Sequence, residues 1–283
     1  MNKQSIVNHR FFTKYLFIFL IFLNGTIFCS DSTNIHHSTI FQDIGHDIIT
    51  SLDDGGSYVT LPLHTSGEQW FFSAGIIDGL IIASTTDLAV KGAVKNTSHN
   101  DYNKNFWDIP TAYGEPLTAG IISTGVYFTG LFSRNNSIRV TGRMLFESVA
   151  YAGVMDLLLK YVTGRDRPYF RNDQYWFNAI QTKDEHVSFP SGHTTMAFAV
   201  STVLAERIDN LYARIGLYGL AGLTGCARII NNKHWLTDVL AGGLLGFGTG
   251  YYIVHLEKNR NAKKGGGFSF YPSLNGLNFN WKW

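Results

Sequence analysis

Three short stretches combine cations, histidines and a carboxylate at spacings that suit an anionic substrate. The first is Lys160-Tyr161-Val162-Thr163-Gly164-Arg165-Asp166-Arg167-Pro168. Lys160 near a helix end and Arg167 beyond a Gly-containing turn can bring an ammonium and a guanidinium onto one anion. The same basic residues also suit a bare helix C-terminus. The second, Phe189-Pro190-Ser191-Gly192-His193-Thr194-Thr195, opens the apolar run Met196 to Val200. Pro and Ser at a helix start leave backbone N–H groups aimed outward at an anion. Gly192 permits close approach to the backbone, and His193 falls in the first turn. The third runs from Ala227 to Asp238 and holds Arg228 and His234. His234 and Asp238, four apart, share a helix face. The carboxylate can then take one ring N–H and leave the other nitrogen free to attack; a purely structural His–Asp pair is the alternative.

Taken together, the stretches resemble the type 2 phosphatidic acid phosphatase (PAP2) superfamily, which includes bacterial class A acid phosphatases and vanadium haloperoxidases. The family pattern is Lys, six residues, Arg-Pro; then Pro-Ser-Gly-His; then Ser-Arg, five residues, His, three residues, Asp. Here it reads Lys160 and Arg167-Pro168, then Pro190-Ser191-Gly192-His193, then Arg228, His234 and Asp238. Ala227 stands where the pattern has Ser, which removes one hydroxyl donor. The resemblance covers residues 160–238, under a third of the chain. It implies an all-α helical bundle and a metal-independent, cofactor-free phosphatase. His234 would be the nucleophile of a phosphohistidine intermediate, Asp238 its orienting group and His193 the general acid. Lys160, Arg167, Ser191, Gly192 and Arg228 would bind the phosphate. A vanadium haloperoxidase and a non-catalytic phosphate- or lipid-binding protein are the competing readings. Of the other histidines, His186 is expected at the pocket mouth.

Helices must position these groups. Apolar residues recur at helical spacing from Gly67 to Ile81, from Pro116 to Phe132 and from Ile138 to Val162, then over Ser191–Ile208, Tyr212–Ile229 and Lys233–Lys258. Glycines crowd the last segment, a sign of close helix packing. Asp53-Asp54-Gly55-Gly56 predicts a turn after a short periodic stretch, and Asn96–Asp108 a polar connection. Uncharged runs reach only 16–18 residues (116–133, 239–254). Against the ~20 that a spanning helix needs, this favours a compact, mostly extramembrane bundle over a multispan protein.

The chain has 283 residues, with 23 Lys+Arg against 21 Asp+Glu and a net charge of +2, which argues against a nucleic-acid partner. Charged residues are 16% and aromatics 14%, with mean hydropathy −0.01; disorder is excluded. Two cysteines, Cys29 and Cys226, build no disulfide framework, and Cys226 reads as a packed helix residue. Lys3, Arg10 and Lys14 before the apolar run Tyr15–Leu23 describe a secretory signal over 1–30, with an uncleaved anchor as the alternative. The expected organisation is a signal (1–30), a polar segment (31–66), a helical phosphatase domain (67–260) and a tail (261–283). In the tail, Asn275-Gly276 and alternating Leu277, Phe279, Trp281 and Trp283 predict a β-hairpin, packed on the bundle or facing a membrane. The expected product is an exported, periplasmic or membrane-associated phosphatase. Lipid phosphates or prenyl pyrophosphates at a membrane surface are favoured as substrates over small soluble esters.

Overall fold

A computed structural model describes residues 39–95, 101–264, 269–273 and 276–280. The expected signal segment 1–30 lies outside them. Helix α1 (Ile40–Val59) opens on a capping box, in which Thr39 Oγ1 accepts from the Gln42 N–H and the Gln42 side chain accepts from the Thr39 N–H. It runs straight through Asp53–Gly56, where the sequence predicts a turn. Tertiary contacts override the local signal: Asp54 is buried and accepts from Arg260, and Gly55 lies under Tyr151. After α2 (Leu61–His64), helices α3 (Gly67–Ser84) and α4 (Asp87–Lys95) meet at a bend of 49°. Helix α5 (Asp101–Tyr113) occupies most of the stretch expected to be a connection.

Helices α6 (Pro116–Phe132), α7 (Asn136–Thr163), α8 (Gly192–Arg207), α9 (Leu211–Ile230) and α10 (Leu236–Lys264) follow, close to the expected segments. The described residues thus form the predicted helical bundle. Helix α8 is central, buried from Thr194 to Ala205 except for half-buried Phe198. Met144, Leu145, Val200, Val203 and Ile253 pack in the same core, and the Tyr113 hydroxyl lies 2.7 Å from Ser201 Oγ. The glycines of α10 make its approach to α8 possible: a β-carbon at Gly246 would lie 2.2 Å from the Thr195 carbonyl oxygen. Strands β1 (Ser269–Ser273) and β2 (Gly276–Asn280) pair antiparallel; Trp281 and Trp283 lie outside the described residues.

The polar ends of four helices converge. Lys160 sits in the last turn of α7, His193 in the first turn of α8, Arg228 in the last turn of α9, and Asp238 in the first turn of α10. Gly164 makes the turn after α7 possible. Its φ is +57°, and a β-carbon there would lie 1.6 Å from the Asn178 carbonyl oxygen, so no other residue fits.

The outward faces are unlike those of a water-facing bundle. In α1 the polar residues point inward, with Asp47, Thr50 and Asp54 buried, while Phe41, Ile48, Ile49, Leu52 and Val59 are exposed. Helix α3 buries no residue and carries Trp70, Phe71, Phe72, Ile77, Ile81 and Ile82 in the open. Continuous apolar surface on this scale marks an interaction face. Cys226, expected to be packed, is exposed on α9; it falls on the outward side of a helix whose Ala227 and Arg228 turn inward.

Candidate active site

The converging helix ends enclose a cavity of about 310 Å³. Lys160, Arg167, Arg228 and Lys233 line it against two carboxylates, Asp156 and Asp184, so the lining carries an excess of positive charge. His193, His234 and Gly192 complete the wall facing α7. Lys160, Arg167, Gly192, His193, Arg228 and His234 therefore meet around one space. Ser191 does not line it: the side chain is buried behind the wall, where its Oγ accepts from Thr194 Oγ1 at 3.0 Å. Its backbone N–H donates to the Asp238 carbonyl at 2.9 Å, which locks the start of α8 to α10.

The cations differ in how far they are already matched. Lys160 Nζ pairs with Asp156 at 2.9 Å and donates to the Pro190 carbonyl. Burial pushes Asp156 up and Lys160 down, each toward its neutral form. Arg167 donates to the carbonyl of Asp184 at 2.7 Å and to its carboxylate at 2.8 Å. Arg228 is 9% exposed, and its Nε has no hydrogen-bond partner among the described residues. Burial and the neighbouring Arg167 push its pKa down to about 10. A buried guanidinium with an unused donor is costly in isolation, and Arg228 lines the cavity, where an anion would match its charge.

His234 is held differently from the expected direct carboxylate contact. Its Nδ1 lies 2.8 Å from the Ser188 carbonyl oxygen and 3.7 Å from Asp238 Oδ2. The shorter contact is the hydrogen bond; a carbonyl only accepts, so Nδ1 carries the proton and Nε2 the free lone pair. Asp238 acts as a buried negative charge beside the ring. Its Oδ2 accepts from Ser188 Oγ at 2.5 Å and from the Trp235 N–H at 2.8 Å, and its Oδ1 from Arg165 Nη1 at 2.6 Å. Burial alone would raise its pKa; His234, Arg165 and Ser188 outweigh it and hold the carboxyl below the usual range. Burial, reinforced by the cations around the cavity, pushes His234 down to about 4 and His193 down to about 3.

Several members of this site carry no role in the sequence reading. Asp156 has a local signal, since it precedes Lys160 by four residues on one helix face. Arg165, Ser188 and Asp184 have none, because only the fold of the 164–191 loop brings them inward. His186, expected at the cavity mouth, turns away and pairs with buried Asp166 at 2.5 Å, edge-on to Phe170. Asp184, two residues earlier, takes the mouth position instead.

Residues 142–262 match the PAP2 superfamily. A lipid A 1-phosphatase of Rhizobium etli is 29% identical over 167 residues, 53% of this chain and 69% of that protein. An undecaprenyl-diphosphatase of Sulfolobus acidocaldarius is 31% identical over 137 residues, 47% of this chain and 62% of that one. The crystal structure of Aquifex aeolicus LpxE superposes with a TM-score of 0.47 at 22% identity, covering 60% of this chain and 94% of that one. The shared stretches span 17% to 69% of the first curated relatives, all lipid A 1-phosphatases. Every residue of the three sequence stretches lies within the segment that is similar to the PAP2 superfamily.

Proposed function

We propose that the protein is a phosphatase that hydrolyses phosphate or pyrophosphate esters of membrane amphiphiles through a phosphohistidine on His234. One observation carries this reading: a cation-lined cavity with the unmatched Arg228 guanidinium on its wall, entered by a histidine whose Nδ1 is committed to a carbonyl. Such a site asks for a phosphoryl group and offers Nε2 to it. The lone pair of Nε2 attacks phosphorus as the ester P–O bond breaks, and His193 protonates the departing oxygen. Lys160, Arg167, Arg228 and the Gly192 amide spread the charge on the phosphoryl oxygens. Water then attacks the phosphohistidine, His193 takes its proton, the P–N bond breaks and inorganic phosphate leaves. Burial and the neighbouring cations depress His193; a phosphate dianion matches those cations, and the pKa rises toward that of a working acid.

The amphiphilic substrate class rests on the outward apolar faces of α1 and α3, on α10, which is long and apolar enough to cross a bilayer, and on the lipid and prenyl phosphates named for the relatives. The bundle sits with these faces in lipid and the cavity at its polar end. The segment 1–30 exports the chain. The test is a substrate panel assayed in mixed micelles: phosphatidate, phosphatidylglycerol phosphate, undecaprenyl pyrophosphate, lipid A and a small chromogenic ester. Higher kcat/KM on an amphiphile supports the reading. Preference for the soluble ester makes it a general acid phosphatase, and hydrolysis of none overturns it.

A further inference from the structure

We infer that Asp87, which lies outside the family-matched segment, is a positioning residue of the catalytic centre, acting through Arg165 on Asp238. This rests on the phosphatase reading and adds to it a part of the chain that carries none of its motifs.

Asp87 opens α4, just after the 49° bend that follows α3. It is 1% exposed, and both carboxylate oxygens are engaged at the base of α10. Oδ1 accepts the Thr237 N–H at 3.0 Å; Oδ2 accepts Thr237 Oγ1 at 2.5 Å and Arg165 Nη2 at 2.7 Å. Arg165 is the connecting piece. Its Nη1 donates to Asp238 Oδ1 at 2.6 Å and to Thr237 Oγ1 at 2.7 Å, and Nε and Nη2 hold the Gln174 carbonyl. One guanidinium thus bridges two buried carboxylates, one beside the nucleophile and one on α4.

The physical need for Asp87 follows from charge. The Gln174 carbonyl holds one edge of the Arg165 guanidinium; the second carboxylate holds the other, balances its charge against Asp238 and helps fix its plane, and with it the Oδ1 contact to Asp238. The same carboxylate takes the N–H of buried Thr237 in the first turn of α10, where the helix offers no acceptor of its own and favours negative charge. That turn carries Asp238 and directly follows His234. Two further contacts bind α4 to the same loop: the Leu88 N–H donates to Gln174 Oε1 at 2.8 Å, and Lys91 Nζ donates to Asn172 Oδ1 at 2.9 Å while lying over the Trp235 ring. Helix α4 therefore clamps the segments on both sides of Asp238.

The test is steady-state kinetics on full-length Asp87→Asn, Arg165→Gln and the double variant in mixed micelles. The amide keeps the size of Asp87 and removes its charge. The expected loss is about 10- to 100-fold in kcat, with KM within about three-fold, the effect usual for a partner that orients a reacting group. Because Asp87 acts through Arg165, the double variant should be no slower than Arg165→Gln alone. A loss carried by KM with kcat unchanged, additive losses in the double variant, or kcat within two-fold of wild type would overturn the inference. If Asp87→Asn does not fold, Thr237→Val, which deletes the hydroxyl bridge and keeps both carboxylates, should show a smaller loss of the same kind; an unchanged kcat there overturns it too. Should the wild type hydrolyse nothing, the phosphatase reading fails separately. The ring-nitrogen NMR signals of His234 then report the positioning: Asp87→Asn should move its titration relative to wild type, and an unmoved titration contradicts the inference.

Discussion

Buried charge is handled in opposite ways at the two ends of the bundle. At the end away from the cavity, α1, α7 and α10 meet through ions already matched to one another. Arg139 pairs with Asp47 at 2.6 Å, Arg143 with Glu257 at 2.5 Å, and Arg260 with both Glu257 and Asp54. Arg143 Nε lacks a hydrogen bond, yet it lies 3.7 Å from Glu147 and the same side chain is paired through Nη2. At the cavity, Arg228 Nε has no hydrogen-bond partner among the described residues, and the acids whose charge it feels, Asp184 and Glu115, act through space. Removing one partner from a closed network leaves a stranded charge; removing Arg228 from the cavity wall relieves one. The first set holds the fold together, and the second is poised for a ligand.

The largest expected effect is on chemistry. His234→Ala should reduce turnover by about 10⁴-fold or more, as for other nucleophile knockouts, with the melting transition retained. Retained turnover in purified variant would move the nucleophile elsewhere.

The next pair of variants sets the two ends against each other. Arg228→Ala should lower kcat/KM by about 10²–10³-fold, the scale of losing one charge-stabilising donor, and leave the melting temperature unchanged or higher. Arg143→Ala should lower stability by about 3–5 kcal/mol and leave kcat of the folded protein within a few-fold. If Arg228→Ala proved as destabilising as Arg143→Ala in denaturant titrations, the contrast would collapse.

Proton linkage gives a smaller, graded effect. In the unfolded chain His193 and His234 titrate near 6.5; burial in the folded protein pushes them down to about 3 and about 4. Between pH 6.5 and about 4 the unfolded state binds more protons, so these two residues withdraw stability as pH falls through that window. Melting temperature should therefore drop from pH 7 to pH 5. Saturating vanadate, whose negative charge favours protonated histidine, should shrink the drop, and an equal drop with and without vanadate would show that the anion does not sit beside these rings. Smallest of all, exhaustive chelation should leave activity within two-fold, since Lys160, Arg167 and Arg228 supply the positive charge. Loss in EDTA restored by a divalent ion would count against this chemistry.

The helices from Pro116 onward are legible in the sequence because long apolar periodicity survives the switch from chain to fold, and residues of all three motif stretches line one cavity, with Ser191 behind its wall. What escaped was non-local. The Asp53–Gly56 turn signal loses to the Asp54–Arg260 ion pair, 206 residues apart, which no local pattern encodes. Ser188 takes the His234 proton that the i,i+4 spacing assigns to Asp238, because the 164–191 loop carries a carbonyl to 2.8 Å. The apolar residues of α3 are plain in the sequence, whereas α1 lies in a stretch that reads as polar; that both present apolar residues outward depends on which neighbours the chain supplies, and charged partners claim the inner face of α1.

The claim that His234 carries the phosphoryl group is tested most directly by rapid quench with a substrate labelled in its phosphate. The wild type should give a labelled protein that survives alkaline quenching and loses its label in acid, as a phosphoramidate does, and His234→Ala should give none. A label stable in acid and lost in alkali would place the phosphoryl group on a carboxylate and contradict the account.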